Sequence, residues 1–316
     1  MILITGSTGY IGSHLSNYFE KNKIEFVGID NLSYSYKENV PATQRHFFID
    51  ISNKKQLKKI FLKYTPATVI HCAAFSYVLE AEKYKKKYLL NNVVKTKKFI
   101  TICKEFNVKN FIFLSSSNVY KENIANSVFN ENMSTVPKNT YGKSKLLIEK
   151  YLKKKKFDNL IILRLFNVIG MYNKKFKIFK FKNKNYQRLI FKILQNYSLN
   201  KTTYINFIKK RKKNYFPSRD FININDLSKI IKKLIRKILI IKKLNQTINV
   251  GSGKMTPINQ VINILQKKNE NKLKINYIKL TNKELLNTKA SIIKLKKLIN
   301  YTPKINITKS INSHYE

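Results

Sequence analysis

The feature that most restricts this chain is Gly6-Ser7-Thr8-Gly9-Tyr10-Ile11-Gly12, a G-x-x-G-x-x-G turn between an apolar run at residues 2–5 and a stretch of helical spacing at residues 10–22. Glycines at this spacing have separate physical tasks. One allows the tight turn, one lets the backbone approach a pyrophosphate, and one permits close packing of helix on strand. The helix entered at Tyr10 and Ile11 offers its unpaired N–H groups to the anion. Glycine also turns and caps without any ligand, so the surrounding pattern decides.

Residues 26–29 read as a second strand, which completes a strand–helix–strand unit. The pattern repeats with strands at 47–49, 68–71, 111–114 and 160–165 and helices at 54–63, 84–106 and 141–154. Such alternation predicts an α/β fold, a doubly wound parallel Rossmann sheet. We expect residues 1–165 to form a dinucleotide-binding domain. Residues 166–316 read as a smaller C-terminal α/β substrate lobe, with some strands free to return to the main sheet. Its helical stretches fall at 189–194, 226–241 and 258–267, its strands at 248–250 and 274–278, and a lysine-rich, turn-like segment at 173–185.

Asp30 ends the second strand, where a carboxylate can accept hydrogen bonds from an adenosine ribose and repel a 2′-phosphate. NAD is therefore expected over NADP. The competing reading is that Asp30-Asn31 only starts a turn. Asp50-Ile51 could border the adenine, or Asp50 or Ser52 could cap the next helix.

Composition narrows the class further. Cys72 and Cys103 sit in apolar stretches without repeated spacing, which suggests neither a disulfide framework nor a zinc site and fits a reducing cytoplasm. The start shows no signal-peptide pattern, and no apolar run approaches membrane-spanning length. A formal charge of +46 invites a nucleic-acid reading. The lysines are scattered over nearly every helix and loop, among abundant Asn, Ile, Tyr and Phe, as A/T-rich coding would produce. A solvated surface is the simpler account, with residues 209–213 the one local cluster.

Tyr141 and Lys145 lie four apart on an expected helix, so they share a face. An ammonium beside a phenol favours phenolate and would draw its pKa down from near 10. In so lysine-rich a chain the pair alone says little. Its position after the dinucleotide-binding half and after Ser115-Ser116-Ser117 gives it weight, because those serines end a strand at the edge where open parallel sheets bind ligands. The alternative for the serines is a polar turn or helix cap.

With these residues in view, the chain resembles the extended short-chain dehydrogenase/reductases, most closely the UDP-glucose 4-epimerases and related nucleotide-sugar enzymes. The likeness runs from residues 5–14 through Asp30-Asn31-Leu32-Ser33, His71-Cys72-Ala73-Ala74, Asn91-Asn92-Val93 and Ser115-Ser116-Ser117-Asn118-Val119-Tyr120. Arg164-Leu165-Phe166-Asn167, Arg219-Asp220-Phe221-Ile222 and Asn249-Val250-Gly251-Ser252-Gly253 continue it. The resemblance implies Tyr141 as acid/base, Lys145 as holder of the nicotinamide ribose, and Ser116, or alternatively Ser117, as the catalytic hydroxyl. It implies Asn91 and Phe166 at the cofactor, Asn167 and Arg219 at the substrate, and Thr288 at the sugar's 2-substituent, where a tyrosine in relatives excludes N-acetylhexosamines. It also implies a homodimer formed through residues 84–106 and 141–154. Two departures stand out. The approach to Arg219 lacks glycine, and the later Arg-x-Gly-Asp landmark is absent from residues 279–284. Related dehydratases carry an Asp-Glu pair where this chain has Ser117-Asn118.

Overall fold

The glycine turn links strand β1 (Ile2–Thr5) to helix α1 (Tyr10–Lys21) in the computed structural model of the protein. The structure describes residues 1–42, 45–121, 128–171, 188–210, 213–270, 272–279 and 287–315. The first half continues through β2 (Phe26–Ile29), β3 (Arg45–Phe47), α2 (Lys54–Tyr64), β4 (Thr68–His71) and α3 (Val78–Lys83). Next come α4 (Lys85–Leu89), α5 (Thr96–Glu105), β5 (Asn110–Ser116), β6 (Val128–Phe129), α6 (Thr140–Lys154) and β7 (Asn159–Leu165). The second half runs through β8 (Asn167–Ile169), α7 (Leu189–Ser198), β9 (Thr203–Lys210), β10 (Lys213–Tyr215), β11 (Ser218–Arg219), β12 (Phe221–Asn223) and α8 (Ile224–Ile240). It ends with β13 (Leu244–Val250), β14 (Thr256–Pro257), α9 (Ile258–Lys268), β15 (Ile275–Lys279), β16 (Lys289–Ala290), α10 (Ile293–Ile299) and α11 (Ile307–Asn312).

Seven parallel strands in the order β13-β7-β5-β4-β1-β2-β3 form the central sheet of an α/β Rossmann fold. Strand alternation sorts its apolar side chains into two cores. Ile2, Ile4, Ile112, Leu114, Ile161 and Leu163 face α1, α8 and α10, whereas Leu3, Phe111, Phe113, Leu160 and Ile162 face α2, α5 and α6. Because β1 pairs with both β2 and β4, the chain reverses its winding there. The crevice at that reversal is where such sheets take ligands.

Three expected boundaries shift. The third strand is Arg45–Phe47 and not 47–49, because Phe47 O accepts from both Asp30 N and Ile49 N at 3.1 Å and turns the chain there. The helix expected over 84–106 starts at Val78, breaks at Tyr84, and widens into a π-helical stretch at Leu90–Lys95. In that stretch the Asn92 carboxamide pairs with both N–H and C=O of Phe75 at 2.9 Å, an inserted bond of the kind that disturbs a helical ladder. Strand β5 carries through Ser116, so Ser115 and Ser116 are strand residues.

Beyond residue 165 the chain serves both parts of the molecule. β13 pairs with β7 along its whole length, and α8 covers the sheet beside α1. A separate core gathers Ile190, Ile193, Ile205, Val261, Ile262 and Ile311 around α7, α9 and α11, beside the sheet β10-β9-β15. The turn-like segment expected at 173–185 and the position of the missing Arg-x-Gly-Asp landmark, apart from Lys279, lie outside the described residues. No helix among the described residues is long and apolar enough to cross a membrane.

Candidate active site

Each glycine of the turn is now accounted for by contact. Gly6 has φ +67°, and a Cβ there would fall 2.6 Å from Ala73 N. A Cβ on Gly12 would fall 2.0 Å from Gly6 O, so this residue sets how closely α1 seats on β1. Gly9, held to Gly6 O at 3.1 Å, precedes α1 without a side-chain cap. A helix start without a side-chain cap suits an anion.

A groove of about 90 Å³ beside this turn brings together Gly6, Gly9, Asp30, Asn31, Ile51 and Asn91. Asp30 Oδ2 accepts from Thr8 N at 3.1 Å and Oδ1 from Leu32 N at 2.8 Å. Burial raises its pKa and these bonds oppose the rise. The Thr8 side chain and Gly9 N also hydrogen-bond to this carboxylate, so a ribose hydroxyl would share it with, or displace, one of these donors. Asn91 lies in the π-helical stretch, a feature frequent at functional sites. The glycine cradle and the Asp30 carboxylate fit a dinucleotide.

The Tyr10 hydroxyl donates to Gly170 O at 2.6 Å, and the residue lines a narrow gap with Gly9, Ser35 and Ala74. The Asp50 carboxylate is taken by Lys95 at 2.6 Å, Asn31 at 2.9 Å and Ser52, and is not among the groove's lining groups. Burial would raise its pKa, but these partners hold it well below the usual carboxylate range. The cap of α2 is Asn53, which accepts from Gln56 N at 3.1 Å, so neither Asp50 nor Ser52 has that role.

The larger cavity, about 520 Å³, is lined by Ser116, Tyr141, Phe166, Asn167 and Arg219, with Ile11 at the α1 end. Tyr141 and Lys145 are both buried on α6. Burial raises the Tyr141 pKa, opposed by its hydrogen bond with Ser116 and by the Arg188 charge. The Lys145 ammonium lies 5.9 Å from the Tyr141 ring centre and donates to Leu114 O at 2.8 Å, and burial lowers its pKa to about 8 against the raising influence of Cys72 and Glu149.

The three serines separate by their partners. Ser115 donates to Glu149 at 2.5 Å, within a buried ion pair of Glu149 with Arg164 at 2.8 Å. Ser117 faces a side chamber of about 150 Å³ that also touches Asn118, Asn139, Asn167, Arg219 and Thr288. Ser116 shares the main cavity with Tyr141. Its oxygen accepts from Asn118 N at 3.2 Å and Asn118 Nδ2 at 3.1 Å, which uses both lone pairs. Its own proton is left to donate toward Tyr141, and such a bond favours phenolate.

Sequence reasoning overlooked Asn118 as the group that orients Ser116, and Asn139, which caps α6 by accepting from Gly142 N at 2.7 Å and donates to Asn118 at 3.3 Å. An Asn before a helical run was a legible cap signal. Arg188 and His314 also line the cavity, and nothing local in the sequence marked them. Asp220 is fully buried and accepts from Ser252 N at 2.6 Å, Gly253 N at 3.0 Å and Ala290 N at 2.9 Å.

Residues 2–251 match the model of the family described as "NAD dependent epimerase/dehydratase family". The chain is 34% identical over 185 residues to the bifunctional protein GAL10 of Pachysolen tannophilus, a match covering 54% of this chain and 27% of that protein. It is 27% identical over 327 residues to the UDP-glucuronate 4-epimerase of Thermodesulfobacterium geofontis, covering 98% and 93%. Its fold superposes on the UDP-Glc/GlcNAc 4-epimerase of Campylobacter jejuni with a TM-score of 0.83 at 27% identity, covering 99% and 97%.

Proposed function

Since the chain belongs to the NAD dependent epimerase/dehydratase family, we propose that it inverts C4 of a UDP-hexose through a 4-keto sugar, with UDP-glucose and UDP-galactose as the pair it interconverts. The observation that carries this reading is the wall of the main cavity, where Tyr141 and Ser116 are hydrogen-bonded, with Lys145 packed beside Tyr141 on α6. NAD, when bound, would supply the hydride acceptor and donor at the sugar carbon.

The protein's own part is proton movement and positioning. Tyr141 takes the 4-hydroxyl proton, with the Ser116 hydroxyl between phenol and sugar, and gives it back as the carbonyl is reduced. Lys145, with its pKa lowered by burial to about 8, holds the nicotinamide ribose. Gly6, Gly9, Gly12, Ile11, Asp30, Asn31, Ile51, Asn91 and Phe166 seat the cofactor, and Asn167 and Arg219 seat the substrate. Burial lowers the Arg219 pKa, yet an arginine stays charged, and its fork suits a diphosphate. A dehydratase needs a titratable acid beside the catalytic hydroxyl. Here that place is held by the Asn118 carboxamide, which favours epimerisation.

We also propose a homodimer through the helical stretches at 84–106 and 141–154, on the exposed apolar Leu90, Val94 and Leu147. Light scattering that shows only monomer at micromolar concentration would reject it.

The test of function is incubation with UDP-galactose, UDP-glucuronate, UDP-N-acetylglucosamine and dTDP-glucose, with products identified by NMR. C4 inversion of UDP-galactose is expected. Tyr141→Phe should lose about 100-fold or more in turnover while NAD stays bound, because the phenol moves a proton and does not hold the cofactor. Absence of C4 inversion with every sugar, or near wild-type turnover in the variant, sinks the reading.

A further inference from the structure

We propose that Arg188 is a diphosphate-binding residue at the junction of the cofactor and substrate sites, an inference that rests on the nucleotide-sugar reading above. Arg188 lines the main cavity with Tyr141 and Arg219, and it also lines a narrow gap of about 80 Å³ formed with Gly9, Tyr10, Ser35, Ala74 and Ser76. Its guanidinium carbon sits 4.7 Å over the Tyr10 ring centre, so the ring supports one face and leaves the N–H edge for an acceptor. Among the described residues no carboxylate pairs with it and none supplies it a hydrogen bond. The contrast with Arg164, held by both oxygens of Glu149, is direct. No Asp or Glu among the described residues lines either space, and Arg219 joins Arg188 at the main cavity.

Such a lining selects anions, and the guanidinium fork matches phosphate oxygens in particular. Both ligands of the reaction carry a diphosphate. The gap at Gly9 would bring the cofactor's to Arg188, and the shared cavity with Arg219 would bring the substrate's.

Calorimetric titration of nucleotide-free protein with NAD, and of NAD-loaded protein with UDP, separates these sources. Arg188→Met keeps the apolar stem on Tyr10 and should weaken one of the two ligands by about tenfold or more, about 1.4 kcal/mol. Arg188→Lys keeps the charge but loses the fork and the stacking on Tyr10, so it should weaken the same ligand by less than the Met variant does. Weaker NAD places the diphosphate in the gap, and weaker UDP places it in the cavity. Arg188→Gln replaces the Met variant if that one does not melt cooperatively. Wild-type affinity for both ligands in the uncharged variant overturns the role of Arg188 while leaving the function intact. A wild-type protein that binds neither nucleotide overturns both.

Discussion

Replacing Lys145 by methionine should abolish turnover and yet stabilise the ligand-free protein at neutral pH. Lys145 is 4% exposed, and burial lowers its pKa from 10.5 to about 8. The gap between those values is worth about 3 kcal/mol, the cost of holding the ammonium in the folded chain at pH 7. Losing the bond to Leu114 O costs about 1 kcal/mol in return. The net gain at pH 7 is therefore about 2 kcal/mol, or roughly 4 °C in Tm. The sign with pH follows from proton counting. Between about pH 8 and 10.5 the unfolded chain binds more protons at this residue than the folded one, so wild-type stability rises with pH there. The advantage of Lys145→Met should shrink across that window and become a deficit of about 1 kcal/mol above it. Urea unfolding of both proteins at pH 7 and pH 10, compared as a difference, reads this directly. A variant less stable than wild type at pH 7, or a difference that does not change with pH, refutes the argument.

The sequence disclosed those parts of the site whose physics is local. Gly6 and Gly12 had to be small, because a left-handed turn and helix seating leave no room for a Cβ, and both constraints act within a few residues. β1, β2, β4, β5 and β7 were legible because they are buried, largely apolar runs, whereas the partly exposed β3 was displaced. β13 was harder to place, since its alignment with β7 depends on long-range bonds such as Leu244 N to Asn159 Oδ1 at 2.7 Å. The same limit explains Asp50, whose neighbours in sequence resemble a cofactor site but which Lys95 reaches only after folding. Arg188 illustrates the opposite case, a residue in a featureless lysine-rich stretch whose meaning comes entirely from the cavity it enters.

Glu149→Leu should cost about 3–5 kcal/mol in urea unfolding, because it leaves the buried Arg164 guanidinium without its counter-ion; a cost under about 1 kcal/mol would show the pair to be dispensable. Asp30→Ala should narrow the preference for NAD over NADP by about tenfold or more, read from the two dissociation constants, with unchanged preference removing Asp30 from the ribose site. The last prediction concerns the sugar. Thr288 N donates to Ser218 O at 3.1 Å beside Arg219, which puts the residue on the side chamber of about 150 Å³. Asn118, Asn167 and Arg219 line both that chamber and the main cavity, so a group projecting from a bound sugar could enter it. UDP-N-acetylglucosamine should then be epimerised with kcat/KM within about tenfold of UDP-glucose, since the acetamido group meets space and not filled volume. Thr288→Tyr fills the chamber and should lower kcat/KM for the N-acetyl sugar by about tenfold or more, roughly 1.4 kcal/mol, while sparing UDP-glucose. If the ratio between the two sugars is the same in variant and wild type, the chamber does not receive the 2-substituent, and Thr288 has no part in choosing the sugar.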